Sequence, residues 1–216
     1  MKPILFKGEM VRAILDGRKT QTRRLVKPQP DFVSNDGTPL LKAPVISLES
    51  GNFVERFHPK DNPNAWLVKP MNPPYQVGDV LWVRETWMPD GADCLEPMMA
   101  SGEITPRVLY RANDADALRV GRSFKWRPSI HMPRWAARLF LEVTAVRIER
   151  LQGITDADAQ AEGVDRPILS HEPGRHPMTG YYRDAFAAYW DALAPAGSKW
   201  ADNPWVWACE FKQVHP

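Results

Sequence analysis

Apolar residues in this chain come in short runs, and their spacing changes several times. Residues 3–6, PILF, are a first run of strand length. In GEMVRAILDG, residues 8–17, Met10, Val11, Ile14 and Leu15 recur at helical spacing, and Gly17 is suited to ending that helix. KTQTRRLV, residues 19–26, carries β-branched residues and predicts a strand. After Gly78-Asp79, the segment VLWVRET (80–86) predicts a strand, and RVLYR (107–111) predicts another. RPSIHMPRWAARLFLEVTAVRIERL (127–151) runs from a turn-rich piece into a long strand that alternates over part of 139–148. ITDADAQAEGV (154–164) is a short helix: Thr155 is its N-cap, Asp156 and Asp158 fill its first turn, and Gly163 stops it. YYRDAFAAYWDAL (181–193) is amphipathic, with Phe186, Tyr189, Trp190 and Leu193 on one face, and WVWACEFKQV (205–214) is a closing strand.

Between these elements the pattern fades. Residues 27–75 are rich in Pro, Asn and Gly, show little periodicity outside LLKAPVISLE (40–49), and are expected to be an insertion with loose secondary structure. Segments 88–106 and 164–180 are expected to be loops. About six short strands and three helices, in an order that is not βαβ, predict an α+β protein with a small, mostly antiparallel sheet or barrel.

At 216 residues the chain suits one elaborated domain or two small ones, long enough to bury a core without a metal or disulfide. Its net charge of +2 is too small to mark the whole surface as nucleic-acid-binding, so any basic signal is local. Its 2 cysteines, Cys94 and Cys209, form no CxxC. No apolar run has membrane-span length, and the first residues lack a signal-peptide core, so the cytoplasm is the expected location. The 21 prolines and 9 tryptophans stand out. RSFKWRPSIHMPRWAAR (122–138) interleaves basic and aromatic residues, the pattern of a nucleic-acid face or of a lid over a polar ligand.

The stretch with the most chemistry is GRKTQTRR, residues 17–24. A charged edge strand is one reading. In the other, Arg18, Lys19, Arg23 and Arg24 meet phosphate or a polar base, while Thr20 or Thr22 supplies a hydroxyl. A lysine among arginines sheds its proton more readily, and a threonine nucleophile needs such a base. In a regular strand, however, Lys19 and Thr22 point to opposite faces, and converge only if the strand bends after Gly17. Glu162, at a helix C-terminus, conflicts with the helix dipole, as functional positions often do. Glu85, in a Trp-flanked strand, calls for a cation, and Arg84 or the 18–24 cluster is in a position to supply one. Trp87, His131 and Arg134 are further candidates for holding a base or a phosphate. HEPGRH (171–176) has the wrong spacing for a zinc helix, and Pro173-Gly174 forbids one. No GxGxxG, Walker or GxSxG pattern occurs. Neither a metal nor a cofactor is expected.

Taken together, GRKTQTRR after a short helix, GDVLWV, LEVTAVRIERLQGIT, DADAQAEGV and a closing WVWACEFK resemble the ASCH domain family. KPILF, MVRAILDGRKTQTRR, WVRETW, RPSIHMPRWAAR and NPWVW bring the chain near the long ASCH proteins of phages and prophages. The resemblance covers nearly the whole chain outside parts of 30–70, 88–106 and 164–180. It implies a PUA-like, mostly antiparallel β-barrel with short flanking helices and long Pro-rich insertions, spanning 1–216 as a single domain. It also implies an association with RNA or a modified pyrimidine nucleoside. Some compact members are amidohydrolases that remove the acyl group of N4-acetylcytidine with a lysine, a threonine and a glutamate. Matched by motif, these are Lys19, Thr22 and Glu162. A non-catalytic RNA- or nucleobase-binding module is the alternative, with a metal-independent ribonuclease behind it. This chain is about twice the length of the compact members.

Overall fold

The computed structural model describes residues 1–29, 45–49, 52–57, 67–89, 107–113, 115, 125–165 and 181–215. In chain order these form β1 (Lys2–Leu5), α1 (Gly8–Leu15), β2 (Gln21–Leu25), β3 (Val45–Glu49), β4 (Asn52–Phe57), β5 (Leu67–Met71), β6 (Val80–Arg84), β7 (Trp87–Pro89) and β8 (Val108–Tyr110). They continue with β9 (Phe140–Arg150), α2 (Asp156–Ala161), α3 (Tyr181–Leu193) and β10 (Trp205–Val214). Two single 3-10 turns, Ser129–His131 and Arg134–Ala136, replace regular structure in the proline-bracketed SIHMPRWA. The protein is thus mixed α and β with strands in the majority.

The central sheet has the order β1-β6-β9-β10-β2. Only β1 and β6 run parallel; the other pairs are antiparallel. β9 and β10 are its long members, and their register shifts where Glu210 faces Ala145 but Phe211 faces Val143, leaving Thr144 as an extra residue. Such a bulge bends the pair. Inward positions alternate into β9 as expected: Leu139, just before it, and Leu141 and Val143 are buried against Ile4, Val11 and Leu81. α1 adds Met10, Val11, Ala13 and Ile14 to this side, while Leu15, which helical spacing grouped with them, is exposed. A second cluster packs Phe186 of α3 against Leu151, Ile154, Ala159 and Val206.

The hydrogen-bonded order is open at β1 and β2. In a flat sheet of five strands these edges would lie roughly 19 Å apart. Here Arg24 of β2 donates from Nη2 to the Leu5 carbonyl of β1 at 3.0 Å. The sheet therefore curls until one arginine side chain bridges its two edges.

The expected loose insertion is corrected in part. Within 27–75, β3, β4 and β5 form a three-stranded antiparallel sheet. Pro70 lies on β5, an edge strand, where its missing N–H costs no ladder bond between neighbours. The expected loop at 88–106 starts within β7, which pairs with β8. The remainder of that loop, most of 164–180, the HEPGRH motif and Cys94 lie outside the described residues. Among the described residues no helix is long and apolar enough to cross a membrane.

Candidate active site

The backbone resolves the facing problem between Lys19 and Thr22. Gly17 adopts φ +72°, which turns the chain out of α1. The Arg18 and Lys19 amides then both donate to the Ala13 carbonyl, at 2.8 and 2.9 Å. Lys19 pairs as a lone antiparallel bridge with Glu162, and the Thr20 amide donates to Ala161 at 2.8 Å. The Thr20 carbonyl already accepts from the Phe211 amide of β10 at 2.9 Å, and from there onward the chain pairs with β10, with Thr22 opposite Cys209. Residues 19–25 are thus two differently partnered segments, and the alternation of a single regular strand does not apply across them.

Glu162 arrives from the other side. It caps the C-terminus of α2, a helix held at its N-terminus by a reciprocal capping box between Thr155 and Asp158. Gly163 follows with φ +79°, and a Cβ there would lie 2.7 Å from the Cβ of Lys19 and 2.8 Å from that of Ala13. Only glycine suits both that conformation and that approach. The absence of a side chain at 163 lets the helix end press against the turn carrying Lys19.

The polar atoms then interlock. Lys19 Nζ donates to the Glu162 carbonyl and to its Oε2, both at 2.8 Å. Arg23 Nη1 donates to Glu162 Oε1 at 3.0 Å. All three side chains are nearly inaccessible to solvent. The conflict between a glutamate and the negative helix end is met by Lys19, which bonds both. Burial pushes the Lys19 amine below its ordinary value; the Glu162 carboxylate opposes this, and Arg24 and Arg23 add to the lowering. Behind the cluster, Arg23 Nε donates to Glu149 at 2.8 Å, and Gln21 and Arg147 both donate to Asp158 Oδ1 at 2.8 Å. Burial pushes Asp158 up, but bonds from Gln21 and Thr155 and the Arg23 charge outweigh it and hold it at about 2.

Lys19, Thr22, Arg23, Arg24 and Glu162 line one cavity of about 350 Å³, a volume within the range of small-molecule sites. Thr22 is buried, and among the described residues its hydroxyl makes no hydrogen bond. Neighbouring Cys209 is also buried, and burial pushes its thiol up to about 11, which keeps it unreactive. The opposite wall is apolar: Phe6 and Met10, then Phe186, Tyr189, Trp190 and Leu193 of α3. Those four α3 residues form the apolar helix face that periodicity picked out. Their second role as a cavity wall has no signature in spacing, because packing and ligand contact require the same apolar stripe.

Other candidates stand elsewhere. Arg18 is on the surface, bonded to Gly163, Asp165 and Asp16, and Thr20 is exposed. Neither lines the cavity. Glu85 is buried and held in two-pronged fashion by Arg138 Nε and Nη2 at 2.8 and 2.9 Å, so its cation is neither Arg84 nor the 18–24 cluster. Trp87 is buried edge-on to Trp135 beneath the Arg127 guanidinium. His131 and Arg134 are exposed on the 3-10 turns. These four belong to a second region and do not reach the cavity lining. Among the described residues, no three His, Cys, Asp or Glu side chains gather to hold a metal ion.

No family model and no solved structure matches the chain. The chain is similar to the N-succinylglutamate 5-semialdehyde dehydrogenase of Escherichia coli O157:H7, 32% identical over 96 residues. That stretch covers 44% of this chain and 18% of the enzyme. The share is too small to carry the enzyme's family or activity to this protein.

Proposed function

We propose that this protein is an ASCH-type amidohydrolase acting on an N4-acylated cytosine nucleoside or a related modified pyrimidine. The observation that carries the reading is the shared cavity of Lys19, Thr22 and Glu162, with the lysine amine lowered by burial and the threonine hydroxyl unbonded among the described residues. The curled five-stranded sheet, its edges bridged by Arg24, supports a PUA-like barrel as the scaffold.

In this mechanism neutral Lys19 takes the proton of Thr22 Oγ1 as that oxygen bonds to the acyl carbonyl carbon. The tetrahedral adduct collapses by breaking the bond to N4, and Lys19 returns the proton to the departing amine. An acyl ester on Thr22 remains. Water attacks it, with Lys19 again as base, and the acid leaves with Thr22 restored. Glu162 holds Lys19, and Arg23 holds Glu162. The apolar wall of Phe6, Phe186 and Tyr189 suits a planar base.

The test is conversion of N4-acetylcytidine to cytidine, followed by chromatography. Native protein should turn over. Lys19→Ala and Thr22→Ala should each lose about 10²–10⁴-fold in rate, the range for a positioned acid–base group. kcat/KM should rise with pH through a midpoint below 10.5, because the base is the neutral amine. Absence of turnover in the native protein would sink the proposal.

A further inference from the structure

The charges around the cavity are uneven. On its floor, Lys19 and Arg23 face Glu162. Its lining also includes Lys7, Arg24 and Lys27. Lys7 and Lys27 are exposed and Arg24 is half-buried, so these three cations sit toward the opening. Among the described residues none of them makes an ion pair. Arg24 is nonetheless fixed: it bonds the Leu5 carbonyl at 3.0 Å, and its guanidinium lies 5.4 Å from the Phe6 ring centre. Burial raises the Tyr189 phenol, and Glu9, in the first turn of α1, is near enough to add to that, but Glu9 is outside the lining.

Like charges gathered at a mouth repel one another, and a neutral nucleoside does nothing to offset that. A phosphate does, and a fixed arginine with two exposed lysines in the same lining is suited to receiving one. Building on the reading of the cavity as a pyrimidine site, we infer that its ligand carries a phosphate. The base and acyl group lie inward at Lys19 and Thr22; the phosphate lies outward against Lys7, Arg24 and Lys27. That phosphate belongs either to a free nucleotide or to the backbone of an RNA strand.

Calorimetry on the full chain separates these sources. The probes are cytidine, cytidine 5′-monophosphate, and a cytidine-centred RNA trinucleotide without terminal phosphates. Cytidine 5′-monophosphate or the trinucleotide should bind about tenfold tighter than cytidine, the equivalent of about 1.4 kcal/mol. That advantage should shrink at high salt and in a Lys7→Ala/Lys27→Ala double variant. An advantage for the monophosphate alone identifies a free nucleotide; an advantage for the trinucleotide identifies a backbone phosphate. Equal affinity for all three probes, no binding by any, or an advantage untouched by the double variant overturns the inference. Turnover of the N4-acetylated forms of cytidine and cytidine 5′-monophosphate is scored separately. A phosphate preference without turnover would remove the amidohydrolase reading and keep this subsite. Turnover with equal kcat/KM for nucleoside and nucleotide would do the reverse.

Discussion

Two buried glutamates hold different positions in this molecule. Glu85 is 1% exposed and Glu162 is 4% exposed, and each meets cations at ordinary hydrogen-bond distances. Around Glu85 the pairing is closed. Both its oxygens go to the single fork of Arg138, whose guanidinium stacks 4.0 Å from the Tyr110 ring centre. An arginine does not give up its proton at any ordinary pH, so this pair stays an ion pair beside Tyr110. Glu162 divides its oxygens between Lys19 and Arg23, and its partner Lys19 is a group able to lose a proton. The cluster also opens on a cavity shared with a threonine hydroxyl. Buried charge alone therefore does not mark a site. A titratable cation, a threonine hydroxyl in the same lining and an accessible space separate the second case from the first.

Breaking each pair should give opposite signatures. Arg138→Ala leaves Glu85 buried without its partner and should lower stability by about 3–5 kcal/mol. It should leave ligand affinity at the cavity unchanged below the new melting temperature. Glu162→Gln keeps the shape of the side chain and removes its charge. It should reduce turnover by about 10²–10⁴-fold, with a smaller effect on KM than on kcat. Chemical denaturation and steady-state kinetics on both variants check this. A collapse of turnover in Arg138→Ala at full folding would erase the distinction between the two regions.

The same contrast explains how far the sequence could be read. Local signals worked where the answer was local: the periodicity of α1, the Thr155 cap and Gly163 stop of α2, and the alternation of β9 were all visible as spacing. The Lys19–Glu162 contact spans 143 residues, and spacing says nothing about it; the family resemblance supplied that pair. Glu85, Trp87, His131 and Arg134 lie apart from the cavity, and spacing does not tell them from its lining, because a tryptophan-rich, arginine-rich stretch looks alike whether its cations meet a ligand or the protein's own carboxylates and rings. Of β3–β5, only the β3 segment showed periodicity, within LLKAPVISLE; in β5, Pro70 masks a strand pattern that an edge position tolerates.

Gly163 sharpens the comparison, since nothing similar presses on Glu85 among the described residues. Gly163→Ala places a methyl 2.7 Å from Lys19 Cβ on a backbone at φ +79°. The strained conformation costs about 1–3 kcal/mol, and the close contact must move the turn carrying Lys19. Turnover should fall more than that stability loss accounts for, measured with the protein still fully folded. Equal activity would mean that the lysine tolerates displacement and is not a positioned base.

The smallest effect concerns acid. Asp158 sits behind Glu162, 3.7 Å from Arg23, while it also caps α2. Its carboxyl is held at about 2 against an ordinary 3.8, so the folded state binds its proton later than the unfolded state does. The sign follows: its contribution to stability is complete above 3.8 and is lost as pH falls to about 2. Thermal melts across that window should slope less steeply in Asp158→Asn than in the native protein, because the variant has already lost the charge. The α2 end of the site should loosen first on acidification, since Arg23 and Arg147 lose a counter-charge there when Asp158 protonates. Amide exchange along 156–162, compared with that along 132–139, reads this directly: earlier loss of protection beside Glu162 than beside Glu85 ties acid sensitivity to the cavity cluster. Simultaneous loss in both segments would mean that the two regions unfold as one unit, and that Asp158 contributes to the whole fold and not to the site in particular.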